Sequence, residues 1–231
     1  MLKRNNNFQF HFLNILLLIG VSFMRGTSEQ QTRKIVALSR QGESSKISVE
    51  KAIKERRSVR SYKHESLTLQ ELSQLLWAAQ GITDEKRGLR ASPSAGALYP
   101  LEIYVVVGQV EGLPAAVYKY VIGKNELIKV GDGDKRARLS SAALSQSCVA
   151  AAPASIVVCA VYERTSRKYG QRAQRYVHME VGAVAENIYL QGRAMQVGTV
   201  FIGAFDDESV KKVIGASPAE NPLAILPLGK I

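Results

Sequence analysis

RASPSAGALYP, residues 90–100, runs directly into LEIYVVV, residues 101–107, and the reading of that junction decides the fold. Before Tyr99 and Pro100 the first segment is made largely of small residues, with two serines, three alanines and one glycine. Small side chains let a backbone come close to a ligand, and serine adds a hydroxyl that both donates and accepts. The second segment has almost no polar alternation, which predicts a central strand buried on both faces. A loop of this kind entering such a strand suits a flat aromatic ligand. Taken alone it reads equally as a surface turn, so the rest of the chain has to decide.

Toward the C-terminus, Val117–Val121 and Glu126–Val130 flank Gly123-Lys124-Asn125 and predict a hairpin. Residues 134–147 read as a helix with Leu139, Ala142, Ala143 and Leu144 inward, and Ser155–Val161 as a second buried strand. Glu163–Gly170 reads as a short polar helix or loop. The longest helical pattern is 173–196. Val177, Val181, Val184 and Ile188 form its main stripe, and Met179, Ala183 and Tyr189 suggest a second buried face. A strand over Thr199–Phe205, a helix capped by Asp206 and a final strand over Leu223–Leu228 complete that side.

Toward the N-terminus, Thr68 and Glu71 make a capping box for a helix carrying Leu69, Leu72, Leu75, Leu76 and Ala79, stopped by Gly81. Ser48 caps a shorter helix reaching Arg56, with Val49, Ala52 and Ile53 at helical spacing. Residues 31–47 are polar and aperiodic and read as a linker. In residues 1–30, Lys3 and Arg4 precede an apolar run from Phe8 to Met24, the order of parts in a secretory signal, with an uncleaved membrane anchor as the alternative. Export or membrane attachment follows if the segment acts that way, and a cytoplasmic location otherwise. No repeat is visible. Helices and strands are mixed along 48–231, which predicts one layered α+β domain.

At 231 residues with 46% hydrophobic content, the chain can bury a full core. Its two cysteines, Cys148 and Cys159, lie in apolar segments without metal-ligand spacing and read as buried thiols. The formal charge is +11, and the first 28 residues hold only three of the cations, so the body itself is basic. No basic block is interleaved with aromatics as a nucleic-acid stacking platform requires, so nucleic-acid binding is not expected. The charge suits a phosphate-bearing cofactor and a solvated basic face equally.

Four pieces together suggest such a cofactor: the basic cluster Arg56, Arg57 and Arg60, the small loop Ser92–Gly96, the glycine-flanked stretch Gly198–Ala204 and the terminal Gly229-Lys230. Arginine forks hold phosphate, and small-residue backbone approaches a planar ring. RRSVRSY (56–62), SPSAGALYP (92–100), RKYGQRAQRYVHMEVGAVAENIYL (167–190), GTVFIGAF (198–205) and LPLGK (226–230) resemble the FMN-dependent nitroreductase superfamily. Ala97 and Tyr99 replace the Asn and Gln common there and bring the chain closest to the azoline-forming, SagB-type dehydrogenase branch.

The resemblance implies a layered sandwich, a mixed central sheet flanked by helices, forming a homodimer with FMN at the subunit interface. It implies an oxidoreductase moving hydride through flavin N5 to or from a small organic or heterocyclic substrate, or a modified peptide, with NAD(P)H as a candidate donor. By position, Arg56, Arg57 and Ser58 should meet the phosphate and ribityl chain, and Arg60 the flavin N1/O2 edge. Ser92, Pro93, Ser94, Ala95 and Gly96 should line the ring, Gly203 and Ala204 bring backbone to N5, and Lys230 close on the phosphate. Lys168 and Tyr169 match a catalytic Lys-Tyr pair of the branch; a solvated helix end is the alternative. His178 reads as a packed histidine. A flavin-binding sensor with little turnover is the other function considered.

Overall fold

The computed structural model describes residues 34–39, 42 and 44–231, so the segment read as a signal or anchor lies outside the described residues. Strand β1 (Ile35–Ala37) precedes helix α1 (Val49–Glu55), whose first turn is capped by the Ser48 hydroxyl accepting from Lys51 N–H. A short strand β2 (Leu67–Thr68) leads into α2 (Leu69–Gln80), and the Thr68–Glu71 capping box is complete in both directions. A small hairpin, β3 (Ile82–Asp84) and β4 (Leu89–Arg90), then enters the loop that feeds β5 (Leu101–Val107). After β6 (Val110–Glu111), which pairs with β2, comes the expected hairpin of β7 (Ala116–Val121) and β8 (Glu126–Asp132). The second half contains α3 (Arg136–Ala142), α4 (Ser147–Ala151), β9 (Ala154–Ala160), α5 (Tyr162–Tyr169) and the long α6 (Ala173–Ala194). It closes with β10 (Val197–Thr199), α7 (Asp207–Ile214) and β11 (Asn221–Lys230).

Seven strands form one sheet in the order β1-β8-β7-β5-β9-β11-β10. Its strand pairs are antiparallel, and a parallel bridge from Ser58 to Thr199 at the β10 edge makes it mixed. β5 sits at the centre, as its unbroken apolar run requires. Leu101, Ile103, Val105 and Val107 face a core built with α2 and α6, while Tyr104 and Val106 face a second core with α3, α4 and α7. Leu72, Leu75 and Leu76 of α2 are fully buried, each stabilising the fold by about 2 kcal/mol.

Four sequence expectations change. The stretch read as a linker contains β1, which hydrogen-bonds along β8 from Ile35–Ile128 to Ala37–Glu126. The helix expected over 134–147 is two helices, because Leu144 and Ser145 take left-handed φ values of 55° and 59°. The strand expected over 199–205 ends at Thr199, and only Ile202 returns to bridge Ile225. The last strand is longer than expected and runs through Pro227. Ile225 N–H points toward Ile202, so position 227 points to the same side, where β10 has already left the sheet and no donor is needed. Two helix faces are also more open than their patterns implied: Met179 is 63% exposed, and Val49 and Ile53 are 65% and 57% exposed beside buried Ala52.

Gly198 and Gly229 are cross-strand partners, and what crosses them is the basic segment. A Cβ on Gly229 would lie 2.4 Å from the Tyr62 ring, and one on Gly198 would lie 2.8 Å from Val59. The absence of both lets residues 58–62 lie on the sheet, where Val59 N–H donates to Thr199 and Lys63 N–H to Lys230. Gly229→Ala is expected to destabilise the protein by about 2 kcal/mol through overpacking. A lower urea midpoint at an unchanged slope would show it.

Candidate active site

The 92–99 loop is held in an unusual backbone path. Gly96, Ala97 and Tyr99 all have positive φ, at 63°, 53° and 47°. That conformation is uncommon for alanine and strained for tyrosine, and it persists only where neighbours over-determine it. Tyr99 is fixed from several sides. Its N–H donates to Ser94 Oγ at 2.9 Å, its hydroxyl accepts from Arg90 N–H, and its carbonyl accepts from Arg164 at 3.1 Å. The Arg90 guanidinium lies 4.3 Å from the Tyr99 ring centroid.

Behind the loop runs α6, and two of its residues that sequence reasoning missed anchor it. Glu180 is 5% exposed and its Oε1 accepts the Ala95 N–H at 2.9 Å, while Oε2 is buried without a partner among the described residues. Burial pushes the Glu180 carboxyl up, more than the Ala95 N–H and Ser94 hydroxyl pull it down. Asn187 donates to Ala78 O, Ala91 O and Ser92 Oγ. Ser92 is fully buried and donates in turn to Ala79 O at 2.8 Å. Ser92 therefore locks the loop to α2 and α6 and does not line an open wall. The Ala95 N–H is likewise engaged inward.

The open wall is Gly96, and Lys168 and Tyr169 stand against it. A Cβ added at Gly96 would sit 2.8 Å from Tyr169 Oη and 3.0 Å from Lys168 Nζ. The two polar tips thus converge on a glycine that is exposed and has no side chain. The Tyr169 ring is braced edge-on by Tyr176, with centroids 5.0 Å apart. His178 is not part of this group; its Nε2 pairs with the Tyr162 hydroxyl at 2.7 Å, which packs α5 on α6.

A second cluster forms around Tyr189. Its hydroxyl accepts from Phe201 N–H at 2.8 Å and lies 3.1 Å from Ser58 Oγ, while the Arg56 guanidinium is 5.1 Å from its ring centroid. Arg56 lines a hollow of about 160 Å³ with Tyr189, Arg193, Gly198 and Thr199. Arg60 is exposed and makes no ion pair among the described residues. Arg57 turns back to donate to the Lys54 and Arg56 carbonyls, so it serves its own helix end.

Lys230 does not join this cluster. It forms an ion pair with Glu71 of the capping box, and burial, which raises the Glu71 carboxyl, is outweighed by the hydrogen bonds from Lys230 and Thr68 N–H. Gly203 and Ala204 are exposed, and the Ala204 carbonyl accepts from Gln146.

The two clusters occupy different flanks of α6. Glu180 and Asn187 differ by seven residues and share a flank, whereas Tyr189 lies nine residues from Glu180, about 180° around the helix and about 14 Å along it. Between the flanks lies the exposed stripe containing Met179, Gly182 and Glu186. The two clusters of one chain therefore face opposite sides of α6.

Comparison with known proteins gives a consistent picture. The sequence model of the nitroreductase family matches residues 53–230. A nitroreductase-family protein of Methanocaldococcus jannaschii is 46% identical over 184 residues, covering 80% of this chain and 91% of its own. A solved nitroreductase-family structure from Anabaena variabilis superposes with a TM-score of 0.75 at 28% identity over 87% of this chain, which spans 42% of that longer one. The E. coli microcin synthetase McbBCD complex shares the fold, with a TM-score of 0.66 at 21% identity over 96% of this chain and 84% of its own. Matched over most of its length and carried by a close relative, the chain belongs to the nitroreductase family, a family of flavin-dependent oxidoreductases.

Proposed function

We propose that the chain is an FMN-dependent oxidoreductase acting as a homodimer on a small organic or heterocyclic substrate. The observation that carries this reading is the convergence of Lys168 Nζ and Tyr169 Oη on the open Gly96 wall. It favours the SagB-type branch, where a Lys-Tyr pair acts beside the ring. The residues also suit FMN in kind. Arg56 and Ser58 offer charge and a hydroxyl to a phosphate, Arg60 offers a charge to the ring's N1/O2 edge, and the strained small-residue loop offers a flat surface to the ring. Dimerisation is supported by the placement of the two clusters on opposite flanks of α6, with apolar Met179, Val49 and Ile53 exposed. A second copy would bring one chain's loop to the other chain's Arg56 cluster.

Bound there, FMN would supply a two-electron acceptor that takes hydride reversibly. The protein's own part is proton handling and orientation. Lys168 and Tyr169 are placed to hold or pass a proton at Nζ and Oη beside the ring wall. Glu180 and Asn187 keep that wall rigid from behind. The purified protein is expected to be yellow, with its flavin absorbance bleached by NADPH under anaerobic conditions. A colourless protein that neither binds FMN nor gains thermal stability from it would overturn the reading. We further propose export or membrane attachment through residues 1–30, tested by fusing them to a reporter active only outside the cytoplasm.

A further inference from the structure

We propose that Lys168, Arg172 and Arg175 form a cationic strip that selects substrates bearing an anionic group, a carboxylate or a phosphate, at the Gly96 wall. The inference rests on the oxidoreductase reading and adds the substrate class to it. Residues 162–175 hold five cations and one acid. Two of the cations are neutralised, Arg164 by Glu102 and Arg167 by Glu163. The other three are exposed and have no ion pair among the described residues.

Their position gives the charge a direction. Lys168 reaches Gly96 directly. Tyr176 packs on Tyr169, which brings the start of α6 beside the pair. Arg172 precedes Tyr176 by one helical turn and so shares its flank, with Arg175 adjoining. Like charges this close repel one another, and an acid at any nearby surface position would relieve that repulsion. An incoming anion relieves it as well, and it would then stand next to the Lys-Tyr tips. The Arg56 cluster does not compete for it, since on that reading the cofactor's phosphate occupies it.

The test compares 4-nitrobenzoate and 4-nitrophenyl phosphate with neutral 4-nitrobenzyl alcohol, by KM with NADPH as donor and by calorimetric Kd on the full chain as purified. Both anions are expected to show about tenfold lower KM and Kd than the alcohol. The double variant R172Q/R175Q should raise the anion values about tenfold and leave the alcohol unchanged. Raising salt to 0.5 M should do the same to the wild type. A response by one anion alone identifies which group the strip takes. An unchanged thermal midpoint confirms that the exposed substitutions leave the fold intact. Equal affinities for all three compounds, or anion binding unaffected by the variant, would overturn the proposal. A colourless protein would overturn the oxidoreductase reading instead, and the calorimetric contrast would still decide the strip.

Discussion

Lys168→Ala is expected to lower kcat about a hundredfold while leaving flavin content unchanged. General acid–base groups contribute about 10²- to 10⁴-fold to the step they serve. The lower end applies here because Tyr169 Oη sits beside the same wall, 2.8 Å from the Gly96 Cβ direction against 3.0 Å for Lys168 Nζ, and can take over part of the role. Tyr169→Phe keeps the ring and its edge contact with Tyr176, removing only the hydroxyl, and a fall of about tenfold is expected. The double variant should lose little more than the single Lys168 variant if the two groups serve one proton, since residues acting as a unit are not additive. Single-turnover reduction and reoxidation, measured separately, locate the affected step. An unchanged kcat in Lys168→Ala would mean that the pair is only the solvated end of α5.

What could be read from the sequence was local or periodic. Ser48, Thr68 with Glu71, and Asp206 cap their helices within three residues, and the structure has all three caps. β5 and β9 are apolar but for Glu102 and Ser155, because each is buried almost wholly on both faces, so no alternation was needed to find them. What could not be read depends on partners far along the chain. Lys230 has a basic side chain near a glycine, which suits a phosphate, and its pairing with Glu71, 159 residues earlier, left no local mark. Gly198 and Gly229 read as parts of an anion site, and the sequence could not show that their missing Cβ atoms also let Val59 and Tyr62 cross the sheet. Glu180 and Asn187 did leave a signal. Each adjoins the valine and isoleucine stripe of α6, and a carboxylate or amide at the edge of a buried stripe needs a buried partner. Glu180 meets Ala95 and Asn187 meets Ala91 and Ser92, besides Ala78 of α2, on a loop that no local pattern ties to α6.

Glu220→Gln is expected to destabilise the protein by about 3 kcal/mol, the low end for breaking a buried ion pair. Glu220 is 4% exposed, and its two oxygens hold three groups. Oε1 pairs with Lys119, while Oε2 accepts from the Tyr104 hydroxyl at 2.9 Å and from Ser217 N–H at 2.8 Å. Lys119 also pairs with Glu102 at 3.1 Å, and Glu102 with Arg164, which donates to the Tyr99 carbonyl. The buried carboxylate is thus the far end of a chain of charges that reaches the strained loop. Burial pushes Glu220 up, but Lys119, Ser217 N–H and the Tyr104 hydroxyl outweigh it and hold the carboxyl down, from 4.5 to about 2. A depressed carboxylate stabilises the fold at every pH above its unfolded value. That contribution is lost as pH falls from about 4.5 toward about 2. The wild-type melting temperature should therefore drop across that window, and the Gln variant, already lower by about 9 °C at pH 7, should drop less. Tyr104→Phe removes one hydrogen bond and should lower stability by about 1 kcal/mol, keeping the acid slope. Parallel acid profiles for the wild type and Glu220→Gln would show that the network carries no charge-linked stability.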